Sequence, residues 1–314
     1  MKTLIVVQGP TGVGKTELCL DIAEHFGVPI INADSRQIYA ELPIGTAAPT
    51  AEQQCRARHY FVGTKHIADY YSASMFEEDV LTLLQTDLFP ASDIALMGGG
   101  SMMYIDAVCN GIDYIPAVDA QIRQRMKDRL AEEGLPTLVD ELRRLDYEHW
   151  KIVDRNNPRR VIHALEICHT TGKTYTSFRI RAVKERPFDI VKVGINADRA
   201  TLYANINARV WRMLDAGLVE EARNLVPMRE LNALNTVGYK ELFAHFDGEI
   251  TLDEAVRRIQ SNTRCYCRKQ QTWLKHDENI RWFEPGRSCE VIAYIEERLA
   301  CRADKEAWRA APEP

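Results

Sequence analysis

The octapeptide Gly9-Pro10-Thr11-Gly12-Val13-Gly14-Lys15-Thr16 constrains this chain more than any other stretch of its 314 residues. It fills every fixed position of the phosphate-binding loop, G-x-x-x-x-G-K-[ST]. Its flanks agree with that reading. Leu4-Ile5-Val6-Val7 reads as a short buried strand leading in, and residues 17–23 as a helix leading out. The glycines let successive backbone N–H groups turn toward an anion, and the helix N-terminus adds partial positive charge. Lys15 is then expected against the phosphates, with the Thr16 hydroxyl on Mg2+. The loop defines a polyphosphate site but leaves open which polyphosphate and which reaction.

The rest of the chain reads as three segments. Residues 1–111 alternate short apolar runs with helical stretches. Ile30-Ile31 and residues 94–97 are expected as parallel strands buried on both faces, and residues 74–88 as a helix behind a Ser cap. Over 112–187 the strands vanish. Charged helical stretches at 119–133, 137–145 and 159–171 are broken at Gly134-Leu135-Pro136 and Asn156-Asn157-Pro158, which reads as a helical insertion. From 188 to 301 the chain returns to strand character at 188–195. Long helices run on to about Lys275, then a short strand at 280–283 and a closing helix; residues 302–314 are expected as a frayed tail. The fold class is α/β: a P-loop NTPase-like core with a parallel sheet, plus an all-helical insertion domain.

Composition narrows the function classes. The formal net charge is -5, so any contact with nucleic acid must rest on a local basic patch. No apolar run approaches the ~20 residues of a membrane span. Met1-Lys2-Thr3 passes directly into the first strand, so no signal peptide is expected. The eight cysteines are scattered without a C-x-x-C pair and read as reduced thiols, so the expected location is cytoplasmic.

Four further features carry chemistry. Asp34 lies where the second strand should end, beside the phosphate loop, where open α/β sheets bind ligands. Spacing alone leaves two readings open. Asp34 or Ser35 caps the next helix, with Gln37 three residues on as in a capping box, or Asp34 has a catalytic or metal role. The third apolar run ends in Gly98-Gly99-Gly100-Ser101, where a ligand can approach the backbone and Ser101 can donate to an oxyanion; a packing turn is the alternative. No acid ends this strand, so the usual Mg2+-holding aspartate of phosphate-loop NTPases is missing. Arg209 falls about 20° from Leu202 on a helical wheel, inside the apolar stripe of Leu202, Ile206, Val210 and Met213. A guanidinium in such a stripe needs an acidic partner or a bound anion, and a diphosphate shared with Lys15 suits its bidentate geometry. Lastly, Arg257, Arg264, Arg268 and Lys275 lie within about 40° of one another, with Val256, Ile259, Tyr266, Trp273 and Leu274 on a broad arc opposite. This basic stripe is either a solvated face or a contact for phosphate backbones.

The order and spacing of several motifs then point to one family. Gly9 to Thr16, Asp34-Ser35-Arg36-Gln37-Ile38-Tyr39, Ile44-Gly45-Thr46-Ala47, Tyr71-Ser72-Ala73 and Asn157-Pro158-Arg159-Arg160 are succeeded by Ala164-Leu165-Glu166, Gly172-Lys173-Thr174, Val237-Gly238-Tyr239-Lys240-Glu241 and the segment 263–273. To about Phe283 the chain resembles the tRNA dimethylallyltransferase (tRNA isopentenyltransferase) family. The resemblance implies transfer of a dimethylallyl group from dimethylallyl diphosphate to N6 of the adenine 3′ of the anticodon, with Mg2+; the chain is expected to act as a monomer. It implies that Gly9, Pro10, Thr11, Gly12, Val13, Gly14, Lys15, Thr16 and Arg209 hold the diphosphate and that Asp34 is the general base. Ser101 stands where the family usually has Thr. It also places tRNA contacts at Asp34, Ser35, Arg36, Gln37, Ser101, Arg123, Pro158, Arg159, Arg160, Val161 and Ile162, and on the basic C-terminal helix with Arg257, Arg264, Arg268 and Lys275.

Several residues depart from the family pattern. Ala48 replaces a common lysine, His163 an arginine and Gly98 a branched apolar residue, while Cys265 and Cys267 interrupt a usually more basic or alanine-bearing run. The rival readings are a small-molecule kinase of the shikimate kinase type and a non-catalytic RNA-binding P-loop protein. The first leaves the insertion and the basic stripe without a purpose, and the second leaves Lys15, Thr16 and Asp34 without one.

Overall fold

In the computed structural model, which describes residues 2–116, 118–179 and 183–310, the first apolar run becomes β1 (Thr3–Gln8), buried along its whole length. The phosphate loop comes next and α1 (Lys15–Phe26) leaves it, with Gly14 in the left-handed region at its N-cap. Then come β2 (Ile30–Asn32), α2 (Ala51–Arg56), β3 (His59–Tyr60) and α3 (Ala73–Leu83). The helix expected over 74–88 starts at Ala73 behind the Ser72 cap. It passes into a π-helical turn at Leu84–Leu88 and a short α4 (Phe89–Ala91). β4 (Ile94–Gly98) and α5 (Met102–Asn110) complete the first segment.

After the insertion the chain forms β5 (Asp189–Ile195), α9 (Arg199–Asp215), α10 (Leu218–Asn224), α11 (Tyr239–Phe246), α12 (Leu252–Leu274), β6 (Arg281–Phe283) and α13 (Ser288–Ala310); α6 to α8 belong to the insertion. Helix α13 continues through Ala310, into the stretch expected to fray; residues 311–314 lie outside the described residues. Side-chain caps start the two long helices that matter most for the site. Asp198 accepts from Thr201 N–H ahead of α9, and Thr251 accepts from Glu254 N–H ahead of α12.

The six strands are all parallel, in the order β3-β2-β4-β1-β5-β6. β1 is central, and the chain first runs to one side of it and later to the other, so a crevice opens at its carboxyl end. One apolar cluster joins sheet residues Ile5, Val7, Leu96 and Val193 to Leu20 and Ile22 of α1, Leu202 and Ile206 of α9, and Val291 and Ile295 of α13. A second packs α9 to α12 around Tyr239, Leu242, Val256 and Ile259.

The chain divides into two compact units, one of Met1–Cys109 with Glu185–Pro314 and one of Asn110–Lys184. The second contains α6 (Ala120–Leu145), α7 (Tyr147–Ile152) and α8 (Pro158–Thr171), packed around Met126, Leu138, Leu142, Val161 and Leu165. Its first helix breaks at Gly134, at φ 77°, a backbone position that strains any side chain. Pro158 opens α8 as its first residue, behind the Asn157 cap.

Candidate active site

The phosphate loop is braced from outside by side chains of α9 and α12. Gln270 Oε1 accepts from Thr11 N–H at 2.8 Å, Arg209 Nη2 donates to Thr11 Oγ1 at 2.7 Å, and Asn205 Nδ2 donates to Gly12 O at 2.9 Å. At Gly9 a Cβ would come within 2.5 Å of the Ile195 carbonyl, so the loop lies directly against the end of β5. Inside it, Lys15 Nζ donates to Gly9 O at 2.8 Å and to Pro10 O at 2.9 Å. Thr16 is exposed in the first turn of α1.

Two cations face this loop. Burial, with the nearby Arg209 guanidinium second, lowers the Lys15 pKa from 10.5 to about 8, while Asp34 works in the opposite direction. Burial also pulls Arg209 down. Arg209 lies in the apolar stripe as expected, and its Nε is buried without a hydrogen-bond partner. Asp34 is its foremost electrostatic partner, with no direct ion pair among the described residues. A guanidinium without a direct ion pair, beside a depressed lysine, is the arrangement an anion completes.

Binding of an anion here must depend on pH. An anion against Lys15 favours the charged form, so binding must raise its pKa and take up a proton near pH 8. Affinity for a non-reactive dimethylallyl thiolodiphosphate should therefore fall as pH rises above about 8. Calorimetry in buffers of different ionisation enthalpy measures the uptake; equal uptake in Lys15→Met would assign the proton elsewhere. In the ligand-free protein the sign for stability is opposite. The unfolded chain holds this proton up to 10.5, so between about 8 and 10.5 the group adds stability as pH rises.

Asp34 serves a turn with one oxygen. Its Oδ1 accepts from Arg36 N–H at 2.9 Å and Gln37 N–H at 3.3 Å. Residues 35–38 form a turn with no helix behind it, so the expected helix cap is a cap on a turn. Oδ2 points at Gly100, where a Cβ would come within 2.8 Å of it. Gly100 is therefore glycine because the carboxylate occupies the space of its side chain. Asp34 also interacts electrostatically with Lys15, Arg209 and Tyr266, which places it beside the phosphate loop.

The other residues singled out from the sequence take defined places. Ser101 Oγ accepts from Ser35 N–H at 2.8 Å and donates to Ser35 Oγ at 2.9 Å, tying the Asp34 turn to the start of α5. Gln37 Nε2 donates to Thr46 O and Ala47 O, both at 3.0 Å; it straps the 42–48 loop, in which Ala47 adopts a φ of 51°. In the helical unit, Arg159 and Arg160 are exposed on the first turn of α8, while Val161 is fully buried in that unit's core and offers a partner only backbone. Arg123 is half-buried, with Nε 3.9 Å from Glu166 Oε1, and His163 Nδ1 is 3.7 Å from Glu166 Oε2.

The basic stripe on α12 is partly engaged. Arg257 is 72 % exposed and pairs with Glu254 one turn earlier at 2.9 Å. Arg264 donates to Asn207 Oδ1 at 2.7 Å and lies over the Tyr203 ring, while Arg268 donates to Tyr203 Oη at 2.9 Å. Two residues expected on the buried arc are not buried. Tyr266 is 40 % exposed and Trp273 45 %, because their polar ends reach out of the helix to Gly100 O and Asp106 Oδ2, both at 3.0 Å. Beside Lys275, a crevice of about 640 Å³ at the carboxyl ends of β5 and β6 is lined by Asn196, Arg199, Gln271 and Trp282. Asn205 and Gln270 are not recognisable as site residues from sequence. Only the run Gln270-Gln271, polar within a helix that must bury one face, hints at the second.

A parallel sheet with a cation-lined phosphate loop after its central strand β1, and a carboxylate after β2 with β4 between the two, defines a P-loop NTPase-like core. The family model for IPP transferases matches residues 37–277, a stretch that begins beyond the phosphate loop itself. The chain is 59% identical over 293 residues to tRNA dimethylallyltransferase 1 of Phocaeicola vulgatus, covering 93% of this chain and 97% of that one. It is 58% identical over 295 residues to tRNA dimethylallyltransferase 1 of Bacteroides fragilis, covering 94% and 98%. The crystal structure of a tRNA isopentenylpyrophosphate transferase from Bacillus halodurans superposes with a TM-score of 0.70 at 30% identity, covering 98% of this chain and 99% of that one. A eukaryotic dimethylallyltransferase acting on tRNA shares the fold, with a TM-score of 0.75 at 20% identity over 100% and 81% of the two chains. The chain belongs to the IPP transferase family, with the tRNA dimethylallyltransferases.

Proposed function

We propose that this protein transfers the dimethylallyl group of dimethylallyl diphosphate to N6 of the adenine 3′ of the anticodon in tRNA and releases diphosphate. The observation that carries it is Arg209: a half-buried arginine whose buried Nε has no hydrogen-bond partner among the described residues, held against the same loop as Lys15 and electrostatically coupled to Asp34. The small-molecule kinase reading is set aside, since the chain is matched almost end to end by tRNA dimethylallyltransferases.

In the reaction the allylic C–O bond breaks and the diphosphate leaves with the bonding pair. Lys15 and Arg209 meet the charge that develops on it, and because neither must be desolvated at that moment the stabilisation goes to the transition state. The adenine N6 lone pair forms the new C–N bond, and Asp34 Oδ2 takes the N6 proton, Oδ1 being engaged by the turn. To reach this site the base must leave its stack.

The residues suit Mg2+. The exposed Thr16 hydroxyl offers one oxygen, and among the described residues no group of three His, Cys, Asp or Glu could hold a metal ion. The other ligands would be substrate oxygens and water, the usual pattern for this ion. Held by Thr16, Mg2+ would supply further charge neutralisation on the leaving diphosphate.

We place tRNA on the α12 stripe and the Asp34–Gln37 turn, and on Arg123 and the start of α8 in the helical unit, in a cytoplasmic monomer. Among the described residues no helix is long and apolar enough to cross a membrane. Incubation with dimethylallyl diphosphate and unmodified tRNA, then nucleoside mass spectrometry, tests the reading; no isopentenyl adenosine would refute it.

Binding of tRNA should weaken steeply with salt although the chain is acidic. Arg264→Glu with Arg268→Glu should flatten the plot of log K against log salt by roughly one unit for each phosphate that these side chains neutralise. The KM for tRNA should rise while that for dimethylallyl diphosphate stays. Filter binding across a salt series is the measurement. An unchanged slope would make this face a solvated one, its arginines serving only Asn207 and Tyr203.

A further inference from the structure

Gln270 is 1 % exposed, so it touches neither solvent nor a docked nucleic acid, yet both ends of its amide are spent on the active site. Its Oε1 accepts from Thr11 N–H of the phosphate loop at 2.8 Å, and its Nε2 donates to Gly100 O at 2.8 Å. Gly100 is the residue packed against Asp34 Oδ2. Tyr266, one turn earlier on α12, donates to the same carbonyl at 3.0 Å. A single side chain of α12 thus spans the loop that takes the leaving group and the turn that walls the base.

The geometry points to Gln270 as a positioning residue that holds the phosphate loop and the Asp34 wall in register and links both to α12. The amide is the group the geometry requires. An acceptor must face Thr11 N–H and a donor must face the Gly100 carbonyl, and a side chain only 1 % exposed leaves no room for solvent to take over the amide's place between them. Arg264 and Arg268 stand on the same helix, so the surface that meets the nucleic acid and the loop that meets the diphosphate share one rigid element. Reactants held a fraction of an ångström out of line lose rate steeply, and that is where the effect of Gln270 should appear.

This inference rests on the proposed prenyl transfer, and the test separates the two. Gln270→Met keeps the volume and removes both hydrogen bonds. It should lower single-turnover transfer by about 10²-fold while tRNA affinity stays within about two-fold of wild type. It should also weaken binding of the thiolodiphosphate analogue by about tenfold, read calorimetrically without any transfer. Gln270→Glu supplies the sharper readout. Protonated, its carboxyl accepts from Thr11 N–H and donates to Gly100 O as the amide does; ionised, it faces that carbonyl with no proton. Its activity relative to wild type should therefore recover as pH falls.

A lowered melting temperature with wild-type transfer and analogue binding in the folded protein would make Gln270 purely structural. A raised KM for tRNA at unchanged turnover would assign it to docking. A Gln270→Glu pH profile parallel to wild type would remove the donor requirement. Any of these overturns the inference. Failure of the wild-type enzyme to prenylate any tRNA would instead overturn the reaction, with the calorimetric arm still deciding the role of Gln270 in the loop.

Discussion

Asp34→Asn is expected to lower turnover by roughly 10²–10⁴, the range for loss of a positioned general base. The substitution separates the two roles of this carboxylate. Asparagine keeps an Oδ1 that can accept from the N–H groups of Arg36 and Gln37, so the turn stays intact. What it loses is the proton acceptor next to Gly100. Affinity for the diphosphate analogue should change little, and the melting temperature should hold. Single-turnover transfer under saturating substrates is the measurement. A near-wild-type rate would leave Asp34 as a cap on a turn and send the N6 proton elsewhere.

Arg209→Ala should cost about 10²–10³ in turnover, the range for deleting one preorganised donor to a developing oxyanion. Arg209→Lys should recover only part, since an ammonium replaces a fork with a point charge. The accompanying stability change distinguishes this from a structural salt bridge. In the ligand-free protein Arg209 is half-buried, its Nε buried and unpartnered among the described residues, while Nη2 donates to the Thr11 hydroxyl. Removing it relieves a desolvated charge that makes no direct ion pair among the described residues, so the melting temperature should not fall. A lower melting temperature with unchanged activity in the folded fraction would show the opposite: a residue kept for stability. Thermal unfolding with and without the analogue, alongside single-turnover rates, makes the comparison.

The phosphate loop was legible because its demands are local. A loop whose amides must face an anion needs glycine at particular places, and glycine is visible in any sequence. Arg209 was legible for a related reason: a charge in an apolar stripe violates helical periodicity, and the structure shows the resulting half-buried arginine with its Nε buried. Asp34 was half legible. Spacing could not choose between cap and base because both readings place the same side chain at the same strand end; the structure shows Oδ1 engaged in the turn and Oδ2 facing Gly100.

Other features were out of reach. Gln270 and Thr11 are separated by 259 positions, and no local pattern relates them. Tyr266 and Trp273 sat on the apolar arc of a wheel that counts a phenol and an indole as core. Their O–H and N–H groups instead reach hydrogen-bond partners on other elements, Gly100 and Asp106, that a wheel cannot contain.

The sequence by itself determined the strand–loop–helix of the phosphate-loop pattern, the α/β class, the break at Gly134 and the two cations, Lys15 and Arg209, set against that loop. These depend on backbone dihedrals and helical or strand periodicity, which act over a few residues. Only the tertiary structure decided the strand order β3-β2-β4-β1-β5-β6, the packing of Gly100 against Asp34, and the clamp by which α12 holds the phosphate loop. Those depend on which distant surfaces meet, and that is settled by burying apolar area across the whole chain together with satisfying the polar groups the burial encloses.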